Sequence, residues 1–91
     1  MTSGKNSGYE LIFSPRAIKQ LREIDRRTQE RIKKSVQGLK TVPPKGDIKK
    51  LKGLTGRYRL RVGDFRVIFL IDTHMRKVYI TEILPRKEAY K

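Results

Sequence analysis

The 91-residue chain contains no cysteine and no tryptophan, a single histidine, and nine acidic residues against 23 lysines and arginines. Without cysteine there are no disulfides and no thiolate metal sites, and the redox compartment is left open. The lone histidine, His74, lies in the polar stretch Asp72-Thr73-His74-Met75-Arg76 and reads as a turn residue. Histidine-pair metal sites are therefore excluded, and no serine has an imidazole to activate it. Carboxylates are too sparse to pair for metal binding or acid–base work. Asp64 belongs to a turn, Asp72 to a strand end, and Glu82 is expected to pair with a neighbouring arginine or lysine. No apolar run approaches the ~20 residues of a membrane span. The first ten residues, MTSGKNSGYE, lack the apolar centre of a signal peptide, so a cytoplasmic location is expected. Residues 4–8 hold glycines, a lysine and a serine but not the spacing of a phosphate loop. No cofactor and no metal are expected, and any catalysis must run on arginine, lysine and tyrosine. Such groups stabilise charge at a phosphorus centre and would be poor at hydrolysing an amide.

The deficit of acids leaves a formal net charge of +14, spread along the whole length. A polyanionic partner follows: nucleic acid, an acidic protein, or both. No stretch joins a basic face to the exposed bulky apolar face that membrane binders need, so no membrane partner is expected. At this length a single core is expected, burying roughly 60–65% of the unfolded surface. Residues 1–8 read as a flexible lead and residues 9–91 as one domain.

The most ordered pattern is GRYRLRVGDFRVIFLID, residues 56–72. Tyr58, Leu60 and Val62 alternate with Arg57, Arg59 and Arg61, the period of a half-buried strand. Gly63-Asp64 suits a two-residue turn, and residues 65–71 form an apolar strand interrupted only by Arg66. Across that turn Val62 faces Phe65, Leu60 faces Val67 and Tyr58 faces Phe69 on one side. On the other side Arg59 faces Ile68, and Arg61 lies opposite Arg66. Like charges directly opposite cost about 0.2–1 kcal/mol. An arginine in the middle of an apolar strand, beside another, points to an anion site, and guanidinium forks match phosphate in two-point geometry.

Around this hairpin the pattern gives a strand over residues 9–13, with Tyr9, Leu11 and Phe13 on one face. Ser14-Pro15 then opens a helix whose stripe is Ala17, Ile18, Leu21 and Ile24, ending near Asp25 or Arg26. Thr28 is expected to cap a second helix with stripe Ile32, Val36 and Leu39, ending before Pro43-Pro44. The short break implies an antiparallel helix pair. Residues 48–54 hold a short strand or a loop, and residues 77–84 a last strand with Val78 and Ile80 buried. The expected fold class is α+β: two helices on one face of a small, mainly antiparallel four-stranded sheet.

These residues carry a resemblance. The early strand, Ser14-Pro15 at a helix start, Leu51-Lys52-Gly53, the run YRLRVGDFRVIF at residues 58–69 and PRKEAY at residues 85–90 resemble the RelE/ParE toxin superfamily, and within it the RelE-type mRNA interferases. The resemblance spans residues 9–90. It implies a metal-independent, ribosome-dependent endoribonuclease that inhibits translation by cutting mRNA and is silenced by a cognate antitoxin in a hetero-oligomer. Its implied catalytic set is Arg59, Arg61, Arg66, Arg86 and Tyr90. Lys33, Lys34, Lys49, Lys50, Lys52, Arg57 and Lys87 would contact RNA or the ribosome. Arg61 and Arg66 would hold the scissile phosphate, Arg86 would serve the leaving 5′-oxygen, Arg59 would sit near the attacking 2′-hydroxyl, and Tyr90 would orient or stack on a base. Arginine keeps its proton, so the general base is left open among Tyr90, Glu82, water and an RNA group. Two other classes remain: a ParE-type inhibitor of DNA gyrase, and a non-catalytic basic module that binds phosphates.

Overall fold

In a computed structural model, which describes residues 8–51, 53 and 56–86, the hairpin at the centre of the sequence is also the centre of a sheet. Strand β1 (Glu10–Phe13) is followed by helices α1 (Pro15–Arg22) and α2 (Arg26–Val36) and a 3₁₀ turn, Gln37–Lys40. Strands β2 (Asp47–Lys50), β3 (Arg57–Val62), β4 (Phe65–Asp72) and β5 (Lys77–Pro85) complete the described chain. The sheet order is β1-β5-β4-β3-β2, with β1 parallel to β5 and every other pair antiparallel. The sheet thus has five strands where four were expected. The additional one is β2, DIKK, whose single apolar residue is too weak a signal to mark a strand. Its existence rests on ladder partners supplied by β3, where Asp47 meets Arg61 and Ile48 meets Leu60.

The β3–β4 register is the one that the alternation predicts: Val62 with Phe65, Leu60 with Val67, Tyr58 with Phe69, Arg61 with Arg66 and Arg59 with Ile68. Gly63 carries a φ of 57°, which glycine reaches without steric cost and which a turn this tight requires. On the helix side of the sheet, Leu60, Val62, Val67, Phe69, Val78, Ile80 and Ile83 form one core with Ala17, Leu21, Ile32, Val36 and Leu39. The rings of Tyr58 and Phe69 stack at 5.6 Å and 21°, so the central cross-strand pair contributes directional contact as well as burial.

Strand β5 changes phase midway. Ile68 pairs with Glu82 and Phe69 with Ile80, leaving Thr81 as the extra residue of a bulge. Strict alternation after Val78 and Ile80 would have turned Glu82 inward. The bulge sends Ile83 inward instead, at 2% exposure, because one inserted residue exchanges the two faces. Here β1 has ended and α1 takes its place. Ser14 donates its hydroxyl to the Thr81 carbonyl at 2.9 Å, and the Gln20 side-chain oxygen accepts from the Ile83 amide at 2.7 Å. Both contacts cover polar backbone groups on the stretch of strand edge beyond β1.

The helices begin as their caps dictate. Ser14 caps α1, accepting from the Ala17 amide at 3.0 Å, with Pro15 at the first helical position. Helix α1 ends at Arg22, short of the expected Asp25 or Arg26, and Ile18 is 40% exposed instead of lying in the buried stripe. Asp25, not Thr28, caps α2: its backbone leaves the helical region, and its carboxylate accepts from the Thr28 amide at 3.0 Å. Thr28's hydroxyl, and then its amide, hydrogen-bond the Asp25 carboxylate and hold its pKa below the ordinary carboxylate value.

Two outcomes are expected. Gln20→Ala leaves the Ile83 amide without its acceptor and should cost about 1–3 kcal/mol in urea unfolding, while Gln20→Glu, which keeps an acceptor oxygen, should lose less. The depressed Asp25 pKa stabilises the fold above the unfolded-state value, and that contribution disappears as pH falls through the lower folded-state value. Asp25→Asn should therefore flatten the acid limb of the stability–pH curve relative to wild type, measured by urea melts below pH ~4.

Candidate nucleic-acid interface

The pleat that buries Tyr58, Leu60 and Val62 sends Arg57, Arg59 and Arg61 to the side of the sheet away from the helices. On that face the registers line residues up in transverse rows. One reads Asp47, Arg61, Arg66, Leu84; the next reads Lys49, Arg59, Ile68, Glu82; the third runs from Arg57 through Leu70 and Tyr79 to Ile12. Strands lie about 4.8 Å apart and same-face residues about 6.6 Å apart along a strand. Arg57, Arg59 and Arg61 therefore form a cationic ladder with a repeat close to one nucleotide of an extended strand.

The arginines differ in environment. Arg61 is exposed, whereas Arg66, directly opposite it, is 1% exposed and is the buried charged residue of the sheet. The Arg59 side chain is 19% exposed, with Nη2 3.7 Å from Oδ1 of Asp47. Its Nε is buried and has no hydrogen-bond partner among the described residues, a donor left open where buried donors are ordinarily satisfied. Arg86 follows the last strand, and its amide donates to the Asp64 carbonyl at 2.7 Å. That bond anchors its backbone at the hairpin turn, next to the row that holds Arg61 and Arg66.

Arg59, Arg61 and Arg66 thus share one sheet face, with the backbone of Arg86 tied beside its turn end. Arg57 and Lys49 extend that face along β3 and onto β2. Other expected contacts lie elsewhere. Lys33 and Lys34 project from α2, on the helix side, where Lys33 Nζ is 3.7 Å from Glu30. Lys50 pairs with Tyr58 and so falls on the opposite pleat from Lys49. Lys52, Lys87 and Tyr90 lie outside the described residues. Glu82 is paired, as expected, with its carboxylate 3.4 Å from Arg16 Nη2. Asp47 escapes a reading of the sequence. Nothing near it in the chain is an arginine, and only the β2–β3 register brings it to Arg59 and Arg61.

Residues 11–90 match the family model described as the ParE toxin of the type II toxin–antitoxin system parDE. The chain belongs to the RelE/ParE toxin superfamily. A candidate toxin of Methanocaldococcus jannaschii, RelE1, is 37% identical over 79 residues, 84% of this chain and 88% of that protein. The fold agrees with crystal structures of two archaeal toxin–antitoxin complexes. The RelB–RelE complex of Methanococcus jannaschii matches at a TM-score of 0.72 and 28% identity, covering 87% of this chain and 94% of that one. The RelE–RelB complex of Pyrococcus horikoshii matches at 0.73 and 26%, covering 86% and 94%. This chain is accordingly a toxin of a type II toxin–antitoxin system.

Within this toxin Asp47 lies in the same row as the opposed Arg61 and Arg66, on the far side of Arg61 from Arg66. Because Arg61 is exposed, Arg61→Gln should leave the melting free energy within about 0.5 kcal/mol of wild type. A loss well beyond that in denaturant melts would make Arg61 a structural ion-pair residue instead of a ligand-binding one.

Proposed function

We propose that this toxin is a ribosome-dependent endoribonuclease that cleaves mRNA by attack of a ribose 2′-hydroxyl on the adjacent phosphate. The observation that carries this reading is the convergence of Arg59, Arg61 and Arg66 on one sheet face, with the Arg86 backbone tied to the adjoining turn. In the reaction the 2′-oxygen forms a bond to phosphorus and the bond to the 5′-oxygen breaks. The products are a 2′,3′-cyclic phosphate and a 5′-hydroxyl, and the 2′-hydroxyl proton is lost as the 5′-oxygen gains one. Arg61, exposed, binds the phosphate. Arg66, buried beside it, adds a second positive charge in a region of low dielectric, where charge developing on the phosphate is stabilised most. Arg59 lies one row along, toward the attacking hydroxyl, Arg86 serves the leaving oxygen, and Tyr90 orients a base. The ribosome supplies the alignment, worth up to about 7–11 kcal/mol when reacting groups are held in register. A protein antitoxin, the partner that defines a type II system, inhibits by covering or neutralising the arginine face. The RelE–RelB complexes among the structural relatives support such a partner.

The family model's ParE description favours a second reading, inhibition of DNA gyrase by protein contact. The two separate on the substrate. On ribosomes programmed with an mRNA carrying one 2′-deoxy sugar at the cut site, cleavage there should stop, since the nucleophile is gone. Arg61→Ala and Arg86→Ala should each lower the single-turnover rate on the all-ribose message by about 10²–10³. Equal cutting of the deoxy-substituted message would eliminate the 2′-hydroxyl mechanism. Absence of cutting on both messages, with supercoiling by gyrase blocked, would establish the second reading.

A further inference from the structure

Asp47 is the one acidic residue of β2, whose sequence is DIKK, and it sits among the cations of the arginine face. Two independent features place it there. The ladder sets it directly across from Arg61, and its Oδ1 lies 3.7 Å from Nη2 of Arg59, diagonally across the same pair of strands. The residue before it must be glycine. Gly46 has a φ of 132°, and a Cβ there would come within 2.6 Å of the Leu60 side chain, itself buried in the core. Asp47 is thus presented to the arginines from a paired strand.

The contact is nevertheless incomplete. It joins a carboxylate whose side chain is 61% exposed to a guanidinium whose Nε is buried without an acceptor among the described residues. A single long ionic contact at an exposed group is weak and is screened by salt. A phosphate oxygen pair offers a guanidinium two short, charge-assisted bonds.

We propose that Asp47 is an internal counter-anion of the phosphate site. Its carboxylate occupies, beside Arg59 and Arg61, the place that a nucleic-acid phosphate takes, and it positions Arg59 in the free toxin. This rests on reading the arginine face as a phosphate site. The consequence is selectivity for strands over isolated anions. A single phosphate must displace a tethered carboxylate at its own expense, whereas an extended strand gains further contacts at Lys49 and Arg57, one and two rows along the same face from the displaced group.

The test uses the intact toxin and a short, fluorescent, all-2′-deoxy oligonucleotide, which binds but offers no 2′-hydroxyl for cleavage, with affinity read by anisotropy at low salt. Asp47→Asn should tighten binding about two- to five-fold, the scale of one weak ion pair. Glu30→Gln, the same charge change on α2, should move it by clearly less. Asp47→Glu, which keeps the carboxylate, should stay near wild type. In an Arg59→Gln background the Asp47→Asn gain should shrink to that of Glu30→Gln, an effect that loss of strand order would not produce. Asp47→Asn binding no tighter than Glu30→Gln, or an undiminished gain without Arg59, would overturn the proposal while leaving the phosphate site standing. If Arg59→Gln and Arg61→Gln both bind the oligonucleotide as tightly as wild type, the phosphate-site reading fails and the Asp47 proposal falls with it.

Discussion

The pairing of β3 with β4 sets the core and the cationic face of this toxin together. Because side chains alternate strictly along a strand, one register decides both faces at once. Setting Leu60 against Val67 and Tyr58 against Phe69 closes the apolar core under the helices. The same choice leaves Arg57, Arg59, Arg61 and Arg66 no option but the other face. A slip of one residue would bury three arginines of β3 and expose its apolar side, a cost far beyond the few tenths of a kcal/mol that the Arg61–Arg66 opposition imposes. The hydrophobic effect on one side of the sheet thereby enforces an electrostatically unfavourable arrangement on the other. The stability of the core is what holds the cationic site together.

Strand β5 solves a second problem, that of a strand longer than its parallel neighbour. Strand β1 pairs only with Lys77 to Ile80. Beyond that point the Thr81 bulge redirects the side chains, and α1 covers the edge through Ser14 and Gln20. The bulge also turns Glu82 away from the core, toward Arg16. The antiparallel pairing of β5 with β4 then brings Pro85 opposite Phe65, and just beyond it the Arg86 amide reaches the Asp64 carbonyl. The long last strand thus returns the chain to the hairpin that bears the other arginines.

Electrostatically the toxin has far more positive charge than it can neutralise internally, with 23 basic and nine acidic residues. Asp25 is used as a helix cap, and Glu30 and Glu82 pair with cations away from the centre of the arginine face. Asp47 alone among the described ion pairs reaches the arginines of β3. A partner that brings several carboxylates or phosphates would complete what one aspartate begins, and both an acidic antitoxin and an RNA strand meet that description.

Much of this is legible in the sequence, and the reason is locality. The β3–β4 hairpin can be read in full because strand period, turn residues and pairing partners all lie within residues 57–72, so the opposition of Arg61 and Arg66 follows from the sequence alone. The Ser14 cap, the Ile32–Val36 stripe and the strand over residues 77–84 are visible for the same reason. The class of the fold, the cationic character of one sheet face and the family all follow from residues close together in the chain. Features whose partners are distant in the chain emerge only on folding. Strand β2 exists because β3 offers it a ladder, and the bulge at Thr81 is set by Phe69 and Ile83 both needing the core. Arg66 is buried while Arg61, its direct neighbour, is exposed. Asp47 meets Arg59 only because two strands separated by a loop pair in one register and no other. Side-chain alternation is a property of neighbours along the chain, but register between strands is settled by burial of the whole core.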